Sequence, residues 1–250
     1  MTITSKKQIA KDTVEMTLQG LEEVEQVKPG QFIHINVGGI HSQNLLRRPI
    51  SIADVDFPQR SITIIFKVIG NGTDQLCKSN IGDVVDVLIP CGTSYPVSYT
   101  STNSALIIGG GIGVPPLYYL AKTLVAEGIN VTSILGFQTR EHVFYEEKFS
   151  QLGDCFVVTD DGSYGHKGFV TDVIEQQKFD FDHYFSCGPT GMLKAVSQQL
   201  KEHTGHISIE QRMGCGIGAC YACVIPTSDG NGLKKICKDG PVFKANEVVL

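Results

Sequence analysis

The sequence predicts a multidomain α/β protein in three consecutive parts. These are an N-terminal antiparallel β-barrel over residues 1–97, a central α/β parallel sheet over 98–205, and a small β-rich segment over 206–250. Three observations carry this. The first part holds short β-branched runs punctuated by glycine and proline. From about Ser101, apolar strands alternate with helical stretches, the pattern of a doubly wound sheet. The last part gathers Cys215, Cys220, Cys223 and Cys237 with little helical periodicity.

Composition narrows the class before any motif is read. Hydrophobic residues make up 42% of 250 and charged residues 19%, enough for a real core. Lys and Arg number 21 against 26 Asp and Glu, a formal charge of −5. No basic surplus recommends nucleic acid or an anionic membrane as partner. The N-terminus is polar, without the apolar core of an export signal. The most apolar stretch, Ala105 to Ala121, carries glycines and prolines and is shorter than a membrane span. A cytoplasmic protein is expected.

In the first part, Thr13–Gln19, Gln31–Val37, Ser61–Val68 and Val84–Ile89 read as strands. Pro29-Gly30, Gly38-Gly39 and Gly70-Asn-Gly72 read as turns. In the second, strands are expected at Ser104–Ile108, Val131–Phe137, Cys155–Thr159 and His183–Ser186. Helices are expected at Pro115–Glu127, Glu141–Gln151, Gly168–Gln177 and Pro189–His203.

The cysteine spacing is the most specific feature. Cys215-x4-Cys220-x2-Cys223 followed by Cys237 has the spacing of a plant-type two-iron, two-sulfur site. Gly214, Gly216 and Gly218 let main-chain N–H groups approach sulfur. A structural zinc site is the alternative, although zinc modules pair two closely spaced cysteine units and the first gap here is at the edge of that range. Without an export signal, a disulfide framework is not expected.

Gly109-Gly110-Gly111-Ile112-Gly113 stands after a strand and before a helix, where a dinucleotide pyrophosphate meets backbone N–H groups. The third glycine of the usual fingerprint is replaced by Pro116, so alone the signal is weak. Cys187-Gly188-Pro189 marks a second glycine-rich strand-to-helix turn in the same sheet. Cys187 by itself reads first as a small buried hydrophobe.

Arg48-Pro49-Ile50-Ser51, the Gly109–Pro116 run and Cys187-Gly188-Pro189, in that order, resemble the ferredoxin–NADP reductase superfamily. The runs Glu210–Cys223 and Lys235–Val242 are similar to the electron-transfer subunits of class 1B dihydroorotate dehydrogenases. The resemblance covers essentially the whole chain. It implies FAD, a [2Fe-2S] cluster and NAD as cofactors. Arg48, Pro49, Ile50 and Ser51 would hold the flavin and its pyrophosphate. Ile65, Phe66 and Lys67 match the next flavin-contacting strand, and Gly72 and Thr73 a phosphate-binding turn. Without the Pro-Ile-Ser that follows, Arg47 and Arg48 would read as a solvated basic pair. Gly109, Gly110, Gly111, Gly113, Cys187, Gly188 and Pro189 would hold NAD, although the only basic residue placed to clamp a 2′-phosphate, Arg140, leaves NADP open.

The resemblance also implies a partner: an FMN-containing dihydroorotate dehydrogenase catalytic subunit, in a heterotetramer of two plus two. This chain would carry electrons from that FMN through the cluster and FAD to NAD⁺ in pyrimidine biosynthesis. Dihydroorotate itself would be oxidised on the partner. A related iron–sulfur flavoprotein subunit of a hydrogenase or an NADH/ferredoxin-NADP transhydrogenase is the alternative, and a zinc-stabilised flavin module a more distant one. His34 and His41 fit no motif and are expected to be ordinary strand and loop residues.

Overall fold

The computed structural model describes residues 1–37, 45–97 and 102–250. The expected Gly38-Gly39 turn, His41, the junction at 97/98 and the change of pattern at Ser101 lie outside the described residues. The first part is a six-stranded antiparallel sheet of β1 (Thr2–Ala10), β2 (Thr13–Gln19), β3 (Phe32–Ile35), β4 (Arg48–Asp56), β5 (Ser61–Lys67) and β6 (Val87–Cys91). Their order is β1-β2-β5-β4-β3-β6. Backbone bonds between Ile3 N and Asp83 O, 2.9 Å, and between Val85 N and Met1 O, 2.8 Å, close it into a barrel. Its interior is aliphatic, with Ile33, Ile35, Ile50, Ile52, Ile62 and Ile64 packed together.

β1 and β4 are strands that hydrophobic periodicity does not reveal. β1 buries only Ile3 and carries Lys6 and Lys7, as a polar outer strand does. β4 contains Arg, Pro and two Asp residues, and is a strand because β3 and β5 pair with it on both sides. The Gly-Asn-Gly stretch is not a simple turn but opens α1 (Asn71–Lys78). Thr73 Oγ1 accepts from Ile69 N at 3.1 Å and Gly70 N at 3.3 Å, and buried Leu76 anchors the helix to the barrel.

The second part runs β7 (Ser104–Gly110), α2 (Val114–Ala126), β8 (Asn130–Phe137), α3 (Glu146–Ser150), β9 (Gly153–Thr159), β10 (His166–Lys167), α4 (Val170–Gln177), β11 (His183–Cys187), α5 (Thr190–Gln199) and β12 (Gly205–Ser208). Then come β13 (Val224–Pro226), β14 (Leu233–Lys235), α6 (Ile236–Asp239) and β15 (Val242–Lys244). The central sheet has the order β10-β9-β8-β7-β11-β12-β15 and is parallel except for β15. Ala105 and Ile107 face α2, while Leu106 and Ile108 face α4 and α5, the two-sided burial a parallel sheet requires.

Two details depart from the periodicity. The helix expected at Glu141–Gln151 is a short 3₁₀ turn, Arg140–His142, followed by the five-residue α3. Between them Tyr145 adopts φ +66°, donates its hydroxyl proton to Glu15 of β2 and stacks edge-on against Tyr118 at 5.1 Å. Tertiary contact with the barrel breaks the helix there. The C-terminal segment is also woven into the central sheet, because β12 pairs with β11 and β15 with β12.

Candidate functional site

β3 and β4 define the first half of the site. Phe32 is opposite Ser51 and His34 opposite Pro49, so these four share one face, while Ile33 and Ile50 point into the barrel. Of the four residues expected to hold flavin, Ile50 is therefore an interior residue, and Pro49 and Ser51 are half-buried on the outer face. Arg48 folds back across the first turn of α1: a β-carbon on Gly72 would overlap its guanidinium. A cation against a helix N-terminus is a cradle for an anion. Thr73 spends its hydroxyl on the cap, leaving backbone N–H groups for a ligand. Arg47 is engaged elsewhere, in an ion pair with Asp86 and a bond to His34 O at 3.3 Å.

On β5 the side chains alternate. Phe66 lies in the barrel interior, and Ile65 packs toward the central sheet. Lys67 reaches a cavity of about 700 Å³ between the barrel and the C-terminal ends of β7, β8, β9 and β11. That is where ligands bind in open α/β sheets. Gly110, Gly111, Gly188 and Pro189 line it. Gly109 and Gly113 do not. Gly109 packs on Val114 and Leu117, and a β-carbon on Gly113 would meet the backbone of Cys187. Cys187 is fully buried, and burial holds its thiol far above the usual range, so it remains protonated.

The cavity also contains residues to which the sequence assigned no role there, although Glu210 opens the run that leads to the cysteines. Gln138, Asp160 and Glu210 bring polar groups into it. Burial, and then neighbouring Asp161, raise the Asp160 carboxyl above its ordinary value. Glu210 is exposed at the cavity, and the protein crowded around it still raises its carboxyl to about 7 by desolvation. Arg140, the one cation considered for a 2′-phosphate, lies outside the cavity lining with its guanidinium over the Tyr164 ring at 5.6 Å. Strand-end position is the only signal that could have marked Asp160.

The four cysteines form two pairs. Cys215 N lies 3.4 Å from Cys220 Sγ, and Cys220 N is 3.4 Å from Cys215 Sγ. Cys237 N is 3.4 Å from Cys223 Sγ. Gly218 N donates to Cys237 Sγ at 3.1 Å, and Ala219 N to Cys215 Sγ at 3.2 Å. Gly216 and Gly218 have φ +72° and +83°, which turns successive N–H groups toward sulfur. These N–H groups, led by that of Ile217, bring the Cys215 thiol down to about 6. Burial, and then Cys223 beside it, push Cys237 up to about 12.

Two thiol pairs suit two metal centres bridged by sulfide better than one tetrahedral ion. Among the described residues no group of three or more His, Cys, Asp or Glu converges on a single-ion site. Cys223 and Cys237 are buried and Cys220 is exposed, so the site has an inner and an outer edge. Ile217 and Tyr221, 61% and 63% exposed, flank the outer edge. His34, fully buried, lies at the inner edge against Gly216. Burial, and then Arg47, lower its basicity.

A reductase barrel, a dinucleotide-type sheet and a thiol-bearing tail are thus combined in one chain. The fold is that of the ferredoxin reductases. A structure described as an NADH-dependent reduced ferredoxin-NADP oxidoreductase engaged in electron bifurcation superposes with a TM-score of 0.88 at 30% identity, covering 99% of this chain and 89% of that one. Phthalate dioxygenase reductase shares the fold at a TM-score of 0.64 and 18% identity, over 90% and 85% of the two chains. Residues 107–198 match the oxidoreductase NAD-binding domain, and residues 210–249 the iron-sulfur cluster binding domain of dihydroorotate dehydrogenase B.

Two curated relatives, from Bacillus mycoides (strain KBAB4) and Bacillus cereus (strain 03BB102), are 52% and 51% identical over 100% of this chain and 98% of their own length. Both are named dihydroorotate dehydrogenase B (NAD(+)), electron transfer subunit. The chain belongs to this family of electron transfer subunits. Among the described residues no helix is long and apolar enough to cross a membrane.

Proposed function

We propose that this chain passes electrons released by dihydroorotate oxidation to NAD⁺, in the pathway that makes orotate for pyrimidine nucleotides. The observation that carries this is the placement of the two thiol pairs against the outer face of β3 and β4, with the dinucleotide cavity beyond. Bound there, a [2Fe-2S] cluster and FAD supply the conversion between single electrons and the two-electron hydride of a nicotinamide.

The residues divide the work. Cys215, Cys220, Cys223 and Cys237 would ligate the cluster. Arg48, with the α1 N-terminus at Gly72, would neutralise the FAD pyrophosphate, and Pro49 and Ser51 would face the flavin ring. Gly110, Gly111, Gly188 and Pro189 would bring backbone up to NAD, while Gly109, Gly113 and Cys187 lock the two turns together. Asp160 inside the cavity opposes a 2′-phosphate and supports NAD over NADP. We read residues 1–97 as the flavin part, 98–205 as the NAD part and 206–250 as the cluster part, the last tied into the sheet of the second through β12 and β15.

The partner is an FMN-containing catalytic subunit, two copies of each chain forming a heterotetramer in the cytoplasm. The outer cluster edge at Cys220, framed by Ile217 and Tyr221, is where that subunit would deliver electrons. Expression with and without a candidate catalytic subunit tests the reading. The single chain should oxidise NADH with an artificial acceptor yet leave dihydroorotate untouched. Dihydroorotate-dependent NAD⁺ reduction should appear only with the partner. Turnover of dihydroorotate by the single chain would overturn the division of labour. The likeness to the bifurcating oxidoreductase supports a second reading, service to a ferredoxin-linked partner in a hydrogenase or transhydrogenase. That reading gains if adding the catalytic subunit never couples the two half-reactions.

A further inference from the structure

His34 has a position its sequence context does not advertise. It is 0% exposed, and among the described residues neither Nδ1 nor Nε2 makes a hydrogen bond of good geometry, although the backbone of Cys215 and of Arg47 comes close enough to oppose the loss of its basicity. A buried imidazole whose nitrogens meet only poorly aligned backbone groups regains little of what it loses with water, a cost reduced when a better-placed acceptor is present. Its surroundings say where that acceptor lies. On β3 it is opposite Pro49, on the face that carries Ser51 and Phe32. A β-carbon on Gly216 would overlap its Nδ1, and Gly216 follows the ligand-type Cys215 directly. Phe32 and Cys91, the neighbours of His34 on this face, share one apolar cluster with Cys223, Cys237 and Met213. The ring thus fills the contact between the flavin-facing strand and the inner edge of the thiol loop.

We propose that His34 is a positioning residue for the cluster, its imidazole N–H donating a hydrogen bond to sulfur at the cluster's inner edge and so raising the reduction potential. This rests on the four cysteines holding a two-iron cluster. The physical reason is charge. Reduction adds an electron that spreads onto sulfur, so an N–H···S bond is stronger in the reduced state, and hydrogen bonds to sulfur are among the controls of cluster potential. No other polar side chain of β3 reaches this face, since Phe32 is apolar and Ile33 and Ile35 point inward. Gly216 is required on the same ground: any side chain there would displace the imidazole.

The test uses the full chain loaded with its cofactors. With ¹⁵N-histidine incorporated, pulsed EPR of the reduced cluster should show one weakly coupled histidine nitrogen, and the coupling should vanish in His34→Gln. Absence of any histidine coupling in the unsubstituted protein overturns the proposal. Redox titration supplies the second readout. His34→Leu should shift the balance between oxidised and reduced cluster about tenfold toward oxidised, which is about 59 mV for one electron. His34→Gln, which keeps an N–H donor, should recover most of that shift. An unchanged potential in the iron-loaded leucine variant overturns the proposal, as does a glutamine variant that behaves like leucine. If His34→Leu fails to hold iron, the labelled unsubstituted protein still decides. Lack of iron and visible absorption in the unsubstituted chain would sink the cluster reading itself, a different failure from iron present without coupling.

Discussion

Two glycine-rich loops, Gly109–Gly113 and Gly214–Gly218, look alike in composition and do different work. In the first, only Gly111 has a left-handed φ, +53°, with open space where a β-carbon would stand. Its companions are glycines because something presses on them: Val114 on Gly109, Met192 on Gly110 and the Cys187 backbone on Gly113. In the second loop, Gly216 and Gly218 need the left-handed region itself, and through it the backbone turns N–H groups toward sulfur. The first loop uses glycine for closeness, while the second uses it for direction as well as closeness, His34 pressing on Gly216 and Lys238 on Gly218. A glycine count cannot separate these uses.

The largest effect expected from any single change is in the second loop. Cys220→Ser should eliminate the cluster while leaving FAD bound, because serine's hard oxygen replaces a thiolate poorly and the thiol loop and the flavin barrel are separate segments of the chain. Iron and sulfide analysis beside the flavin spectrum checks this. Full iron content in the variant would remove Cys220 from the ligand set, and with it the contrast between the loops.

Arg48→Ala comes next. Loss of a charge-assisted hydrogen bond to a flavin phosphate costs about 1.5–3 kcal/mol, or roughly ten- to hundredfold in FAD affinity. NAD binding should change little, since Arg48 does not line the dinucleotide cavity. FAD occupancy after dilution and gel filtration is the measurement. Unchanged occupancy would mean that the guanidinium stacked on Gly72 serves only to seat α1.

The first loop can be dissected directly. Gly113→Ala forces a methyl into the Cys187 backbone and should destabilise the chain by about 1–3 kcal/mol, as overpacking does. Gly111→Ala meets nothing and should cost about 1–2 kcal/mol of left-handed strain, without disturbing the neighbouring turn. Thermal unfolding ranks the two. If Gly111→Ala proves the more damaging, conformation rather than closeness rules this loop as well.

What could be read in advance follows the same division. The alternation of strands and helices after Ser104 is a local pattern and survives into the structure apart from the helix expected at Glu141–Gln151 and the last turn of the one expected at Pro189–His203. β1 and β4 are fixed by pairing with neighbouring strands, and the break at Tyr145 by packing against Glu15, 130 positions away, none of which a local hydrophobic period encodes. The site shows the same limit. Arg48, the glycines and the four cysteines announce themselves by motif. His34 and Asp160 have isolated side chains with no neighbouring pattern, and Glu210 opens a run read only for its cysteines; the fold brings all three to a junction or a cavity. The near-equal treatment of Ile50, Phe66 and Lys67 in the motif likewise dissolves once strand alternation sends the first two inward.

The smallest predicted effect tests whether that cavity behaves as one electrostatic unit. Glu210 lines the same space as the Gly110-Gly111 turn; its side chain is exposed there, and desolvation by the surrounding protein raises its carboxyl to about 7. Below that pH the group is neutral; above it, a negative charge faces a cavity that also holds Asp160. NADH is itself anionic through its pyrophosphate, so ionisation of Glu210 opposes binding. At roughly 10 Å in a solvated cavity, such a pair interacts by about 0.4–1 kcal/mol. NADH affinity should therefore fall about two- to fivefold as the pH rises from 6 to 8, with its inflection near 7. Glu210→Gln, which keeps the shape and removes the charge, should hold the low-pH affinity across the whole range. Titration of NADH binding at a series of pH values decides it. A pH response that persists unchanged in the glutamine variant would transfer the effect to another group in the cavity, of which Asp160, also raised by burial, is the first to examine.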